Sequence, residues 1–406
     1  MNVLRPDSAA AVEEAIATAA AERTPLEITG AGTKRGWGRP VEAAQGLSLA
    51  GLRGITLYEA EELVLSARAG TTLAEIELSL AQKGQQLAFE PPDWAGLYGA
   101  APGTQTIGGI IACNLAGPRR LTAGAARDHL LGFHAVSGRG EPFKSGGRVV
   151  KNVTGFDLSK LMAGSFGTLA VMTEVTLKVL PRPETAATLL LLGQDAATAV
   201  GSMAAALGSS NEVSGAAWLP ATLAGRLGIG EGAAVTALRF EGLAESVAYR
   251  VAALGSLIPG AAARLEGVAS DAFWRAVGNA DPLASDPLAS DPPASDPARD
   301  LWRVSVAPLD GARLIAALPE AEAYLDWAGG LVWLALPAST DGGAARVRQA
   351  KGQAGHATLV RAGAEARART QVFEPEPPAL TALSRRIKAS FDPLGLLNPG
   401  RMVEGR

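Results

Sequence analysis

Three short stretches of this chain are nearly free of side-chain bulk, and each lies beside a residue that can carry charge or donate a hydrogen bond. The first is Gly30-Ala31-Gly32-Thr33-Lys34-Arg35-Gly36-Trp37-Gly38. Successive amides in such a loop can turn inward as a nest for anionic oxygens, and Lys34 and Arg35 add positive charge. An ordinary flexible loop is the alternative. Gly30 and Gly32 begin a G-x-G, but Arg35 stands where the third glycine of the dinucleotide fingerprint belongs, and no helix signal follows. Phosphates bound here would meet a loop and not a helix end. The second stretch is Thr106-Ile107-Gly108-Gly109-Ile110-Ile111-Ala112-Cys113-Asn114. Gly108, Gly109 and Ala112 leave one side bare, for close chain packing or for a ligand lying on the backbone. Cys113 reads as a small core residue, because no His is near it in sequence. The third is Gly164-Ser165-Phe166-Gly167-Thr168, either a tight turn or a place where backbone approaches something flat or anionic.

These stretches need elements to hold them. Ser8 or Asp7 can cap a first helix whose Val12, Ile16 and Ala19 face inward, and Leu26 and Ile28 begin a short strand that runs into the Gly30 loop. Leu63, Leu65 and Ala67 alternate as another strand. Thr72 and Glu75 form a capping box ahead of a Leu73, Ile76, Leu80 stripe. Gln86 to Phe89 resumes as strand, Glu90-Pro91-Pro92-Asp93 turns, and Leu130 to Ser137 is strand again. Val149 and Val150 belong to an apolar run. Asp157 caps a helix carrying Leu158, Leu161 and Met162. Val171 to Val179 alternates as a strand with one buried face, ended by Pro181 and Pro183.

Beyond residue 183 the pattern changes to alanine-rich helices between short strands, and it repeats. Strand 188–192, helix 195–207, strands 214–219 and 234–240 and helix 243–257 come first. Strand 301–307, helix 311–318, strands 323–327 and 331–336, helix 343–350 and strand 356–361 follow. Each set matches a βαββαβ unit. Between them, the five-residue repeat of Asp281 to Asp300 places proline where neither helix nor sheet tolerates it, so a solvated loop is expected. Near the end, Leu380, Leu383 and Ile387 mark a helix with Arg385, Arg386 and Lys388 on a solvated face. The turn-rich tail after Phe391 is expected to dock. The domains read as 1–183, 184–375 and a returning 376–406.

Composition narrows the function. With 406 residues, 48% hydrophobic and 19% charged, the chain can fill two or more cores. Lys plus Arg number 37 against 40 Asp plus Glu, so no basic surface for nucleic acid is expected. The single cysteine allows no internal disulfide and points to a reducing compartment. The acidic N-terminus is no signal peptide, and no apolar run approaches the ~20 residues that span a bilayer.

Together the motifs resemble a known family. G-A-G-T-K at Gly30–Lys34, T-I-G-G-x-x-A-x-N at Thr106–Asn114, G-S-x-G-T-L-x-V-x-T-E at Gly164–Glu174 and D-P-x-x-x-x-N-P-G at Asp392–Gly400 fall in the order found in FAD-linked oxidases of the vanillyl-alcohol oxidase (PCMH) type. P-P-D at Pro91, N-L-A-G-P-R-R at Asn114, V-K-N-V-T-G-F-D-L-S-K-L-M at Val150, L-W-R-V-S-V at Leu301 and A-G-H-A-T at Ala354 are similar to the FAD-binding (E-type) subunits of bacterial glycolate oxidase. The resemblance implies an α+β fold: a two-subdomain PCMH-type FAD-binding domain plus a second α+β domain of ferredoxin-like βαββαβ halves. It implies non-covalent FAD, with Gly30, Ala31, Gly32, Thr33 and Lys34 at the pyrophosphate. Pro91, Thr106, Ile107, Gly108, Gly109 and Asn114 would line the flavin and ribityl chain. Gly164, Ser165, Gly167 and Val171 would approach from the other subdomain, and Asn398 would return with the tail. Phe166 and Ala170 depart from the family, which often has Glu and Gly there.

The implied reaction is oxidation of glycolate or a D-lactate-like 2-hydroxy acid to the 2-oxo acid. The implied partners are a sister FAD-linked catalytic subunit and an iron–sulfur subunit, with an acceptor other than NAD. The site is cytoplasmic, or held peripherally at the inner membrane by a partner. Related catalytic subunits carry paired histidines and a Glu-His as a metal site. This chain has His129, His134 and His356 alone, so no metal is expected. Arg303 and His356 are the remaining catalytic candidates, as holders of a carboxylate; a structural His and a surface Arg is the competing reading. Two functional alternatives stay open, a non-catalytic scaffold subunit and a stand-alone FAD-dependent 2-hydroxy-acid dehydrogenase.

Overall fold

A computed structural model describes residues 1–148, 155–258, 260–284, 299–353 and 355–405. Val149, Val150, the K-N-V-T stretch after them, Ala354 and most of the Asp281–Asp300 repeat lie outside the described residues. Internal packing divides the chain into two units: Met1–Leu115, Gly124–Pro181 and Pro375–Arg406 form the first, Ala116–Ala123 and Arg182–Glu374 the second. The excursion of 116–123 into the second unit leaves no periodic trace in the sequence.

In the first unit, the helix Ala9–Glu22 starts where Ser8 accepts from the Ala11 amide, and it buries Val12, Ile16 and Ala19. That face packs with Leu26, Leu47, Leu49 and Leu397. A three-stranded parallel sheet orders Asn2–Leu4, Gln45–Ser48 and Leu26–Thr29. A five-stranded antiparallel sheet runs Ile55–Glu59, Val64–Arg68, Ala170–Lys178, Leu130–Ser137, Pro142–Gly146.

Several local expectations change. Leu63 has φ 57 and turns the chain, so the second strand of that sheet starts at Val64. Thr72 accepts from the Glu75 amide as a cap should. The strand expected over 86–89 shrinks to Gln85–Gln86, paired with Leu180–Pro181. Ile107–Ala112 is a helix, although two adjacent glycines hid it. The strand Ala170–Lys178 buries Met172, Thr173 and Thr176 as well as Val171, Val175 and Leu177. It is a central strand covered on both faces, with Thr176 satisfied by Ser66. The helix Pro378–Phe391 leaves Leu380 47% and Leu383 43% exposed, whereas Lys388 is drawn inward to the carbonyls of Thr168 and Leu397 and to Asp392.

The second unit is one eight-stranded antiparallel sheet, in the order Ala261–Glu266, Thr185–Leu192, Val235–Gly242, Gly215–Leu219, Glu322–Asp326, Leu331–Pro337, Arg299–Ser305, His356–Arg361. It consists of two βαββαβ halves joined edge to edge, where Trp218 stands opposite Leu325. Four helices, Ala196–Leu207, Ala244–Leu257, Pro308–Ala317 and Ala344–Lys351, bury Val200, Met203, Val247, Leu254, Leu314 and Val347 against Leu189, Leu238, Phe240, Trp302 and Leu334. The helix Gly267–Asn279, invisible in the alanine-rich sequence, is tied to the sheet by Trp274 Nε1 donating to Thr188 at 2.8 Å and by Tyr324 OH donating to the Val277 carbonyl at 2.7 Å.

Candidate functional site

In the first unit a cleft opens at the end of the strand Leu26–Thr29. Its walls include Gly30 to Arg35, Thr106, Gly108, Gly109, Cys113, Gly167, Val171, Asn398 and Arg401. Two of its glycines let the walls pack closely. A Cβ on Gly30 would stand 2.0 Å from Thr106 Oγ1, and one on Gly108 2.7 Å from Ala69 Cβ. Both are closer than atoms can approach, so these two segments touch only because they carry hydrogen there.

The loop is held from behind. Ser48 Oγ donates to the Gly30 carbonyl at 3.0 Å. The Arg35 amide donates to Gly32 and the Trp37 amide to Lys34, closing two turns. Arg401, 5% exposed, donates to the carbonyls of Arg35 at 2.9 Å and Trp37 at 3.0 Å and to Glu27 at 3.3 Å. Glu27 also pairs with Arg35. Asn398 completes the brace: its Oδ1 accepts from the Ile28 amide at 2.8 Å, and its Nδ2 donates to the Ile28 and Phe166 carbonyls at 3.3 and 2.8 Å. Because its own φ is 45, Asn is one of the few residues suited to the position.

What the loop leaves unused defines its chemistry. Among the described residues no protein atom accepts from the amides of Gly30, Ala31, Gly32, Thr33 or Lys34. Trp37 Nε1 is buried without a partner as well. A run of amides without protein acceptors, lining a cleft beside a cation, fits a ligand rich in anionic oxygens. The Lys34 ammonium donates to Gln105 at 3.0 Å and Thr33 at 3.3 Å. Burial lowers its pKa below the usual lysine value, while Cys113 and Asp93 act the other way. Burial also pushes the Cys113 thiol up, against the pull of Lys34 and Arg401, so it stays a neutral wall residue and not a nucleophile. Trp37 packs edge-on to Trp94 at 4.8 Å and to Phe166 at 4.9 Å, so the bulky Phe166 extends an aromatic wall.

Five of the residues named from sequence do not line this cleft. Ile107 is fully buried in the core. The Asn114 Oδ1 is used by the Arg127 amide. Gly164 and Ser165 line a separate hollow with Ile387 and Lys388. Pro91 acts at one remove, since neighbouring Pro92 accepts from Gln105, the partner of Lys34. Sequence reasoning missed Glu27, Trp37, Gln105 and Arg401. The position of Arg401 directly after N-P-G was a signal that it docks with the tail.

The second unit holds the remaining candidates. Arg303 is half-buried and not a surface group, and its guanidinium lies 4.7 Å from the centre of the Trp327 ring. Burial, then the Arg120 charge, pull its pKa down to about 10 against Asp326 and Tyr324. His356 opens the edge strand opposite Ser305, two residues along from Arg303. The residue is exposed, yet desolvation of its ring and then Arg303 lower its pKa, with Glu374 opposing. His129 is buried against Phe89, near the Lys178 carbonyl. No group of three or more His, Cys, Asp or Glu placed to hold a metal occurs among the described residues, nor does any helix long and apolar enough to cross a membrane.

Comparison with known proteins bears directly on the cleft. A family described as an FAD binding domain matches residues 2–146. Glycolate oxidase subunit GlcE of Escherichia coli is 36% identical over 399 residues, covering 98% of this chain and 97% of that protein. Glycolate oxidase subunit GlcD of Bacillus subtilis is 30% identical over 222 residues, 54% of this chain and 44% of its own length. Among solved structures, p-cresol methylhydroxylase with substrate bound superposes with a TM-score of 0.70 at 14% identity, over 99% of this chain and 88% of that one. An alkyldihydroxyacetonephosphate synthase gives 0.67 at 14%, over 98% and 75%. At such identities the two structures bear on the fold alone, which is the mixed α+β architecture expected.

Proposed function

The chain belongs to the FAD-linked oxidase family of the glycolate oxidase subunit GlcE, and on that premise we propose that it is the FAD-binding subunit of an assembly oxidising glycolate or a D-lactate-like 2-hydroxy acid to the 2-oxo acid. The observation that carries this reading is the run of amides from Gly30 to Lys34 that no described protein atom accepts, on the wall of a cleft whose segments pack closely at Gly30 and Gly108. Those amides hold the pyrophosphate oxygens of FAD, with Lys34 contributing its charge. Thr106, Gly108, Gly109, Gly167 and Val171 leave room for the cofactor's flat and flexible parts, and the orphaned Trp37 N–H gains an acceptor. Cofactor attachment is read as non-covalent, because the Gly30–Pro40 loop has neither His nor Cys and burial pushes the Cys113 thiol up, away from the reactive thiolate. Bound FAD supplies the two-electron acceptor that oxidation of CH–OH requires. The first unit is then the cofactor module.

Electrons must leave for a partner. A cluster held by four thiolates cannot be built on one cysteine, so an iron–sulfur subunit carries it, beside a sister FAD-linked subunit of the GlcD kind. The assembly works in the cytoplasm, or at the inner membrane through a partner. A second reading, a scaffold subunit that does not turn over, rests on the three histidines, His129, His134 and His356, being too few and too far apart in sequence for a catalytic metal site. The visible spectrum separates the two. Purified chain that is yellow, and whose flavin bleaches anaerobically with glycolate or D-lactate in the full assembly, supports the proposal. Colourless chain that still assembles supports the scaffold. Bleaching without partners would identify a stand-alone dehydrogenase.

A further inference from the structure

The sheet of the second unit ends in two strands at equivalent places, and the fold treats them differently. Ala261–Glu266 closes the first βαββαβ half and His356–Arg361 the second, and they are the outermost strands of the sheet. The His356–Arg361 edge is covered by its own chain. The Leu359 amide donates to the Val372 carbonyl at 2.9 Å, and the Ala357 amide to the Glu374 carboxylate at 2.9 Å. Ala261–Glu266 pairs with Thr185–Leu192 on one side. On its other side, among the described residues, its backbone makes no hydrogen bond. An edge left in that state is a template for another strand.

Its side chains say which strand fits. The strand has no proline or lysine to keep neighbours away, and from Ala263 to Glu266 its register with Thr185–Leu192 is unbroken. Leu257, the last residue of the helix before it, is 59% exposed, and Val268, in the first turn of the helix after it, is 85% exposed. The charges of the strand are Arg264 and Glu266, which form an exposed ion pair with each other. Arg264 stands opposite Leu189 and Glu266 opposite Ala187, so both project from the same face of the sheet. Two antiparallel copies related by a two-fold axis at Leu265 would set Arg264 of each against Glu266 of the other. A two-fold axis at Arg264 would oppose two arginines, and one at Glu266 two glutamates. Opposite charges across a strand pair stabilise it and like charges oppose it, so the pattern is complementary to itself in one register.

We propose that the Ala261–Glu266 edge is a self-association surface, where two copies of this chain pair antiparallel about Leu265 and continue the sheet across the two-fold axis. The His356–Arg361 edge shows that this position in the fold takes a covering segment. A strand this short makes a small interface, so the dimer is weak and depends on concentration. None of this rests on the proposed function, because every residue involved lies in the second unit.

The test is sedimentation velocity of the purified full chain at low ionic strength, over roughly a hundredfold range of concentration in the micromolar region. The wild-type chain is expected to pass from monomer to dimer across that range. Arg264→Glu and Glu266→Arg each set like charges opposite one another and should weaken the dimer about tenfold or more. An equimolar mixture of the two variants should recover it, and so should the double exchange in one chain, because opposite charges meet again. Thermal melts establish that each variant folds; should one single variant fail, the other and the double exchange decide. A chain that stays monomeric throughout, a dimer indifferent to either single variant, or a mixture no tighter than its components would each overturn the proposal. An edge that instead receives a strand of another subunit gives the first of these results, since the chain alone would not pair.

Discussion

Replacing Asn398 by Ala should loosen the first unit more than any ordinary surface change, and the structure gives the size of the effect. Asn398 is 2% exposed and joins the C-terminal tail to two other segments, through the Ile28 amide and the carbonyls of Ile28 and Phe166. Removing the side chain deletes hydrogen bonds with a net worth of about 1 kcal/mol each and leaves a buried donor and acceptor unmatched. Ala also fits the φ of 45 poorly, at a further cost of about 1 kcal/mol. The total is roughly 4 kcal/mol, which for a unit of this size lowers its melting temperature by roughly 8–16 °C. Asn398→Gly relieves the backbone conflict and keeps the hydrogen-bond loss, so it should fall between the two. Scanning calorimetry of the FAD-loaded chain measures all three. A variant Asn398→Ala that melts within 1 °C of wild type would show that the tail does not brace the cleft.

Glu241 is buried, which works against its charge, but Arg239 and Arg119 win and hold its pKa at about 2. Since the folded value lies below the ordinary 4.5, the stability it contributes is complete above that pH and is lost as pH falls toward about 2. Acid unfolding of the second unit followed by circular dichroism should show this window, and Glu241→Gln should flatten it while costing on the order of 3 kcal/mol at neutral pH, because the charge that Arg119 and Arg239 face is removed from a buried place. Lys34→Met should leave the melting temperature of the cofactor-free chain nearly unchanged and weaken FAD about tenfold or more in a flavin-fluorescence titration; undiminished affinity would remove Lys34 from the pyrophosphate.

How much of this was legible beforehand depended on the physical signal each segment carries. Strand His356–Arg361 and strand Leu130–Ser137 stand where the sequence places them, because short apolar runs between turn residues have one good solution. The Ala261–Glu266 strand and the helix after it were silent, since alanine supports either structure and carries little periodicity. The central strand Ala170–Lys178 alternates in sequence yet is covered on both faces, because threonine can be buried once its hydroxyl is satisfied. The cleft was visible through its glycines. The polar frame behind it was not: Arg401, Glu27 and Gln105 come from three distant segments, and no spacing rule connects them. Arg303 and Arg120 likewise meet only through the excursion of residues 116–123 into the second unit.

The account stands most directly on one titration. Cofactor-free chain mixed with FAD, followed by flavin fluorescence, should bind one equivalent per chain in the wild type. The Gly30→Val variant, whose added Cβ would fall 2.0 Å from Thr106 Oγ1, should bind at least a hundredfold more weakly while its second unit still melts as before. Wild-type affinity in that variant would mean that FAD lies somewhere other than this cleft.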